Sequence, residues 1–462
     1  MSATRKTAAS PTIAERVAAV IAALPRITPP AMQATCGSLL VDTAGLCLAA
    51  RHSDFMRAML TASDEPGPCT VIGEQEGRSV AMAALCNGTA VHGEDFDDTY
   101  EGGPIHAGAV IVPAILATAE AHALTGADAG LAMAVGTEVM CRLCAVAPKR
   151  VHQAGFHPTA VFGAIGAAAG VGAALSLDAK QLVHAMGIAA SMAGGIIEYL
   201  ADGAWTKRMH PGWAAQSGYR AARMAQAGFV GPRTVFEGDH GFFQAFAHTR
   251  DGNYREMLEG FGVEWLAAGI AFKLYACGTM AHPYIDCARK LVAAGLDPDE
   301  VQAIECETAE GIVHRLWEPL ADKQRPPNGY AAKFSIPYAI AVAMLRNDAG
   351  LREYDEAVVR QPKVRALAAK VRYRIDPDNP YPRQFTGHLR VTLRNGDVRE
   401  ARQGHFRGGV EEPLAFDDIV TKFRANASLG GATVSQLDDM LTHLSRVLRA
   451  STVDLRPFRG YD

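Results

Sequence analysis

"TAVFGAIGAAAGVGAALSL", residues Thr159 to Leu177, is the stretch on which the fold class turns. It is built almost wholly of small and apolar residues and reads as a helix whose alanines and glycines let neighbouring backbones come close. Glycine lowers helix propensity, so such a helix must be held by packing. "AMGIAASMAGGI" (Ala185 to Ile196) has the same texture, and from about Pro11 to about Gly260 Ala-rich segments punctuated by Gly and Pro predominate. The expectation is a mainly α protein with a large helical-bundle domain.

Further along, the pattern changes near Lys273. "VQAIECETA" (Val301 to Ala309), "KVRYRID" (Lys370 to Asp376) and "GHLRVTLRNGDVREA" (Gly387 to Ala401) alternate with a period of two, and Asn395-Gly396 is a hairpin-turn signal. Helical patterns lie between them, in "PYIDCARKLVAAG" and "AAKFSIPYAIAVAML". These signals predict a smaller α+β domain over residues 271–408. Helices at about Leu414 to Ala425 and Thr433 to Leu448 are expected to return, so that 409–462 completes the helical domain of 1–270.

The chain of 462 residues has room for two domains and a large core. A formal charge of -4 and a pI near 6.4 give no basic footprint, so nucleic acid is not an expected partner. An anionic ligand must then be met by local cations. Nine cysteines are scattered, and Cys141 and Cys144 lack a second pair or the histidine spacing of a zinc site, so buried reduced thiols are expected and no metal. Glu15 and Arg16 interrupt the apolar N-terminal segment, which argues against a secretory signal. The longest apolar run, Ala160 to Leu175, is too short and too rich in Gly and Ala to predict a membrane span. A cytoplasmic protein with no membrane association follows as the expectation.

"HGEDFDDTY", His92 to Tyr100, follows an apolar helical segment, Ser79 to Val91. Continued as a helix, it would place His92, Asp95 and Thr99 on one face. Glu94, Asp95, Asp97 and Asp98 would then crowd a helix C-terminus, where the backbone disfavours negative charge. The ordinary explanation is an exposed loop. The alternative is that cations and histidines oppose the carboxylates.

Three His-Pro pairs recur, at His157-Pro158, His210-Pro211 and His282-Pro283, and His106 also precedes a helical run. Proline favours the first helical position, so each histidine is expected at a helix N-terminus, where free N–H groups bind anions and lower an imidazole's pKa. Singly, each is more often a cap or a surface residue. Together with the acidic stretch and the basic "TKRMH" (Thr206 to His210), they form a candidate acid/base site. Lys207 and Arg208, ordinarily a solvated pair, are flanked by Trp205 and Met209, which makes partial burial the expectation.

Assembled in order, "NGTAVHGEDFDDT", "IHAGAVIVPAILATAEA", "GFHPTAVFGAIGAAAGVGAAL", "TKRMHPGWAAQSGYRAARMAQAGFVGP", "KLYACGTMAHPYIDCARKL" and "AAKFSIPYAIAVAML" resemble the MmgE/PrpD family over nearly the whole chain. That family includes 2-methylcitrate dehydratases, cis-aconitate decarboxylases and iminodisuccinate epimerases. The resemblance implies a homodimer, a helical domain with an α+β lid domain, and no metal or organic cofactor. It also implies active-site positions at Asp95, Thr99, His106, His157, Lys207 and Lys273, of which His106, His157, Asp95 and Lys207 are expected to be catalytic. Thr99, Lys273, Arg208, His210 and His282 are expected to bind substrate. In the decarboxylase branch a histidine follows the lid lysine by five residues; this chain has Gly278 there, and the branch's lid tyrosine has no clear match around Trp317 to Pro327.

The reaction expected from these features is removal of a proton α to a carboxylate of a small di- or tricarboxylic acid. Dehydration of a 2-methylcitrate-like acid leads, with epimerisation or decarboxylation as alternatives. "DFDDT" also resembles the acid motif of class II terpene cyclases, but aromatics make up only 7% of the chain, too few for a carbocation pocket. A non-catalytic organic-acid binder is the remaining alternative.

Overall fold

The computed structural model describes residues 10–460; Arg5 and Lys6 of the basic N-terminus lie outside the described residues. The architecture is mostly helical with a small sheet. Two compact units divide the chain. Among the described residues, one holds 10–93, Asp98–Ile270 and 423–460; the other holds Glu94–Asp97 and Ala271–Lys422.

The first unit is helical. Its main elements are α1 (Gln33–Ala50), α2 (Val80–His92), α3 (Gly108–Ala121), α4 (Gly126–Val146), α5 (Pro158–Ala174), α6 (Ala179–Met192) and α7 (Thr206–Gln226). Every residue of α5 is buried, as its all-round apolar sequence requires. The small residues permit the expected close approach. A Cβ added at Gly166 would lie 2.4 Å from Met140 on α4, and one at Gly218 on α7 would lie 2.3 Å from Ala167. Gly88 and Gly212 do the same where α2 crosses α7, with 2.6 Å from a Cβ at Gly88 to the Gly212 Cα. α6 begins earlier than the expected Ala185, because Asp178 and Gln181 form a capping box. It ends at Met192, before the turn in which Gly195 takes φ +131°. The C-terminal helix Val434–Val447 also belongs to this unit.

Pro30–Ala50 and Gly126–Val146 are long and apolar enough to cross a membrane, although Asp42 interrupts the first and Asp128, Glu138 and Arg142 the second. Burial within the protein, 72% and 94% of their apolar windows, accounts for their composition as core helices.

The second unit carries a four-stranded sheet of β1 (Val301–Thr308), β2 (Val371–Ile375), β3 (Gly387–Leu393) and β4 (Val398–Gln403) in the order β2-β1-β3-β4. β1 and β2 are parallel, with Ile304 opposite Val371; β3 is antiparallel to both β1 and β4. Asn395-Gly396 turns the β3–β4 hairpin as expected, with Gly396 at φ +89°. α8 (His282–Ala293) and α9 (Ile336–Arg346) accompany the sheet. The pattern Ala331 to Leu345 is broken ahead of α9 by the Ser335 N-cap.

The helical continuation through "HGEDFDDTY" does not occur. α2 stops at His92, and Asp95 adopts φ +55°, a left-handed conformation that no right-handed helix can pass through. Nor is the stretch an exposed loop: Asp95, Asp97 and Asp98 are all buried.

Candidate active site

The helical unit gathers four imidazoles into one buried cluster. His92 is the last residue of α2, His106 lies two residues before α3, His157 caps α5 ahead of Pro158, and His210 lies inside α7. The placement of His210 corrects the expectation of a helix start there. α7 begins at Thr206, and Pro211 sits within the helix, where it withholds an N–H from the Lys207 carbonyl. Ring centroids are 4.9 Å apart for His92 and His106, 5.5 Å for the stacked His92 and His157, and 5.3 Å for His157 and His210. The Nδ1 atoms of His157 and His210 are 3.2 Å apart. Tyr199 stands edge-on to both rings, at 6.1 and 5.9 Å.

Burial sets the protonation of two of these rings. It holds the His157 imidazole well below its ordinary proton affinity, assisted by His92, Lys207 and the remaining histidines. His210 is lowered to about 4, again chiefly by burial and then by His92 and Lys207.

Backbone and side-chain contacts hold the rings in place. Nδ1 of His106 lies 2.6 Å from the Asp98 carbonyl. A carbonyl only accepts, so Nδ1–H donates; in a neutral ring this leaves the lone pair on Nε2. The His106 amide donates to Thr159 Oγ1 at 3.2 Å, which ties the start of α3 to that of α5. The Asp98 carboxylate accepts from the Ala107 and Gly108 amides at 3.1 and 2.9 Å. Asp98 therefore sits at a helix N-terminus, where negative charge is favoured, and not at the C-terminus anticipated from the sequence.

The other acids of the stretch belong to the second unit. Lys333 donates to the Glu94 carbonyl at 2.5 Å and its carboxylate at 2.6 Å, and Lys273 donates to the Asp95 carbonyl at 2.8 Å and its carboxylate at 3.0 Å. Lys422 donates to the Phe96 carbonyl at 2.6 Å and lies 4.0 Å above that ring. Three ammonium groups thus grip three consecutive carbonyls around the left-handed turn at Asp95. Such a conformation persists only where its surroundings over-determine it.

The structure brings His106, His157, His210 and Lys207 together in the helical unit. Lys207 is half-buried on α7 and close enough to lower the proton affinity of two imidazoles. Thr99 is buried in the same unit. Arg208 sets its guanidinium 4.5 Å over the Phe55 ring. Asp95 and Lys273 pair within the second unit. His282, also in that unit, opens α8 fully buried between Tyr275 and Phe406, each 5.1 Å away. Burial, then Lys273, keeps its imidazole well below its usual proton affinity. Tyr199, Thr159, Lys333 and Lys422 were not singled out from the sequence, and His92 and Asp98 were noted in the acidic stretch without a site role. All nine cysteines are buried and unpaired with one another.

Residues 15–255 match the MmgE/PrpD N-terminal domain, and residues 275–444 match the MmgE/PrpD C-terminal domain. The chain is similar to the cis-aconitate decarboxylase of Homo sapiens, at 32% identity over 383 residues, spanning 78% of this chain and 76% of that protein. The Mus musculus cis-aconitate decarboxylase is 31% identical over 75% of this chain and 71% of its own. The Aspergillus terreus cis-aconitate decarboxylase is 28% identical over 83% and 82%.

Proposed function

The chain belongs to the MmgE/PrpD family, and from that premise we propose that it is an enzyme acting on a small di- or tricarboxylic acid at the carbon α to a carboxylate. The observation that carries this reading is the buried packing of four imidazoles ring against ring, with Lys207 beside them. A polycarboxylate bound beside His157 and His210 would raise their proton affinity toward the range useful for acid/base work. Removal of a proton, or of carbon dioxide, leaves a carbanion-like centre that a nearby ammonium stabilises. His106 and His157 are the residues proposed to move the proton, with Lys207 as the cation.

Decarboxylation of a cis-aconitate-like acid is the first reading, supported by the names of the relatives. Dehydration of a 2-methylcitrate-like hydroxy acid is the second, kept open because Gly278 stands where the decarboxylase branch carries a histidine. A Cβ there would have only ordinary contacts, 3.7 Å from Leu316, the Lys333 carbonyl and Phe334, so the missing side chain is not excluded by space. The deciding experiment offers 2-methylcitrate, citrate, cis-aconitate and iminodisuccinate in deuterated water. Carbon dioxide release, alkene formation and α-deuterium incorporation without net reaction identify decarboxylase, dehydratase and epimerase respectively. No change in any acid rejects the proposal. Turnover is expected to survive exhaustive chelation, and a loss restored by one specific metal would overturn the cofactor-free chemistry.

We further propose a cytoplasmic homodimer. Trp205 at the N-cap of α7 and Trp213 within it are 49% and 46% exposed, and Ile196 and Leu200 are also exposed. Half-exposed tryptophans are characteristic anchors of protein interfaces. Light scattering on the purified chain tests this, with monomer as the contrary result.

A further inference from the structure

A neutral imidazole has one N–H and one lone pair. A hydrogen bond between two Nδ1 atoms, as the 3.2 Å separation of His157 and His210 gives, therefore forces the rings into opposite tautomers. The ring that donates from Nδ1 leaves its Nε2 unprotonated; the ring that accepts carries its proton on Nε2. We propose that His157 and His210 work as one proton-sharing pair, in which His210 is a positioning residue that fixes the tautomer of His157 and takes over its Nδ1 proton. The proposal rests on the acid/base reading of the site and adds to it a proton route and a role for His210.

The proton balance closes. With His157 as donor, its Nε2 takes a proton and the ring becomes cationic. The Nδ1 proton then crosses to Nδ1 of His210, which leaves His157 neutral with its proton on Nε2. His210, now cationic, releases its own Nε2 proton and is neutral again. One proton has entered at one Nε2 and one has left from the other, with the two tautomers exchanged. Passage in the reverse direction, or Nε2 exchange with water, restores the starting state.

The surroundings hold the bridge in place. The His157 amide donates to the Gly195 carbonyl at 2.8 Å. A Cβ at Gly195 would lie 2.7 Å from Ala160 and 3.2 Å from His210 Nδ1, so a side chain there would press on the bridge. The titratable groups facing the pair are His92, His106, Tyr199 and Lys207. None of the hydrogen bonds of the described residues occupies the Nε2 atom of either paired ring.

The test is NMR of the full chain with 15N-labelled histidine at neutral pH. The expected result is a 15N–15N coupling through the hydrogen bond, between one protonated and one unprotonated Nδ1. His210→Phe should abolish it and let the His157 nitrogens average between tautomers, whereas His210→Asn, whose carboxamide can still donate or accept, should return His157 to a single tautomer. No coupling, with His157 signals identical in all three proteins, overturns the pair. If His210→Phe does not fold, the wild-type coupling and His210→Asn decide. In activity, His210→Phe should lower kcat about tenfold to a hundredfold with KM little changed, and His210→Asn should recover part of it. Inactivity of the wild type on every acid, with the coupling present, rejects the functional reading alone. Exchange chemistry without the coupling rejects the pair alone.

Discussion

Glu138 and Arg142, one turn apart on α4, are as deeply buried as the four clustered histidines of the same unit, yet the two groups follow opposite rules. Arg142 donates to the Glu138 carboxylate at 2.6 Å and to the carbonyls of Glu256, Glu259 and Glu264, and it lies 4.9 Å from the Phe261 ring centroid. The second Glu138 oxygen accepts the Ala267 amide at 2.8 Å. Nearly every polar direction is used, and the pair stitches residues 256–267 to the core. The imidazoles, by contrast, face one another, and two of them are held away from the charged state. A buried charge saturated with partners serves the fold. Titratable rings packed against titratable rings, two of them held neutral by burial, are the arrangement that our proposal assigns to chemistry.

The comparison breaks if mutations in the two groups have the same consequence. His106→Gln or His157→Gln should reduce kcat by roughly 10²–10⁴-fold with the melting temperature nearly unchanged. Arg142→Met should do the reverse. It strands the buried Glu138 carboxylate and should cost about 3–5 kcal/mol in denaturant unfolding, while turnover per folded molecule persists. Adding Glu138→Gln to that variant should recover much of the loss, since the stranded charge is then gone. Lys207→Ala should weaken binding of a multiply charged acid by one to two decades, from the loss of a charge-assisted contact of about 1.5–3 kcal/mol, as calorimetry would read.

The comparison is sharpened by the pH dependence of stability. His210 has a folded pKa of about 4 and an ordinary unfolded value of 6.5, so between these limits the unfolded chain binds the extra proton. Stability should therefore fall as pH drops from about 6.5 toward 4, with a limiting slope near 1.4 kcal/mol per pH unit per group. His157, lowered in the same direction, adds to the slope. His210→Gln should flatten the curve, and an unchanged slope would remove His210 from the buried neutral set.

Much of this organisation is legible in the sequence because it rests on local patterns. The all-round apolar run of α5, the period-two strands and the Asn395-Gly396 turn each declare their structure within a few residues. His157 before Pro158 likewise fixes a helix start locally. The arrangement of "HGEDFDDTY" is not local. Its Asp98 is explained by amides nine and ten residues on, and its Glu94, Asp95 and Phe96 by lysines at 333, 273 and 422. His210 misled because proline tolerance inside α7 depends on tertiary packing that the dipeptide does not encode.

The most direct test of the histidine cluster as the acid/base centre is α-hydrogen exchange in deuterated water, measured on the acid that the wild type turns over. The wild type, His106→Gln and His157→Gln are compared, each shown folded by its melting temperature. One variant is expected to lose exchange entirely, which identifies the base, while the other exchanges without completing the reaction. Exchange and turnover retained in both variants would contradict the account and move the proton chemistry away from these two rings.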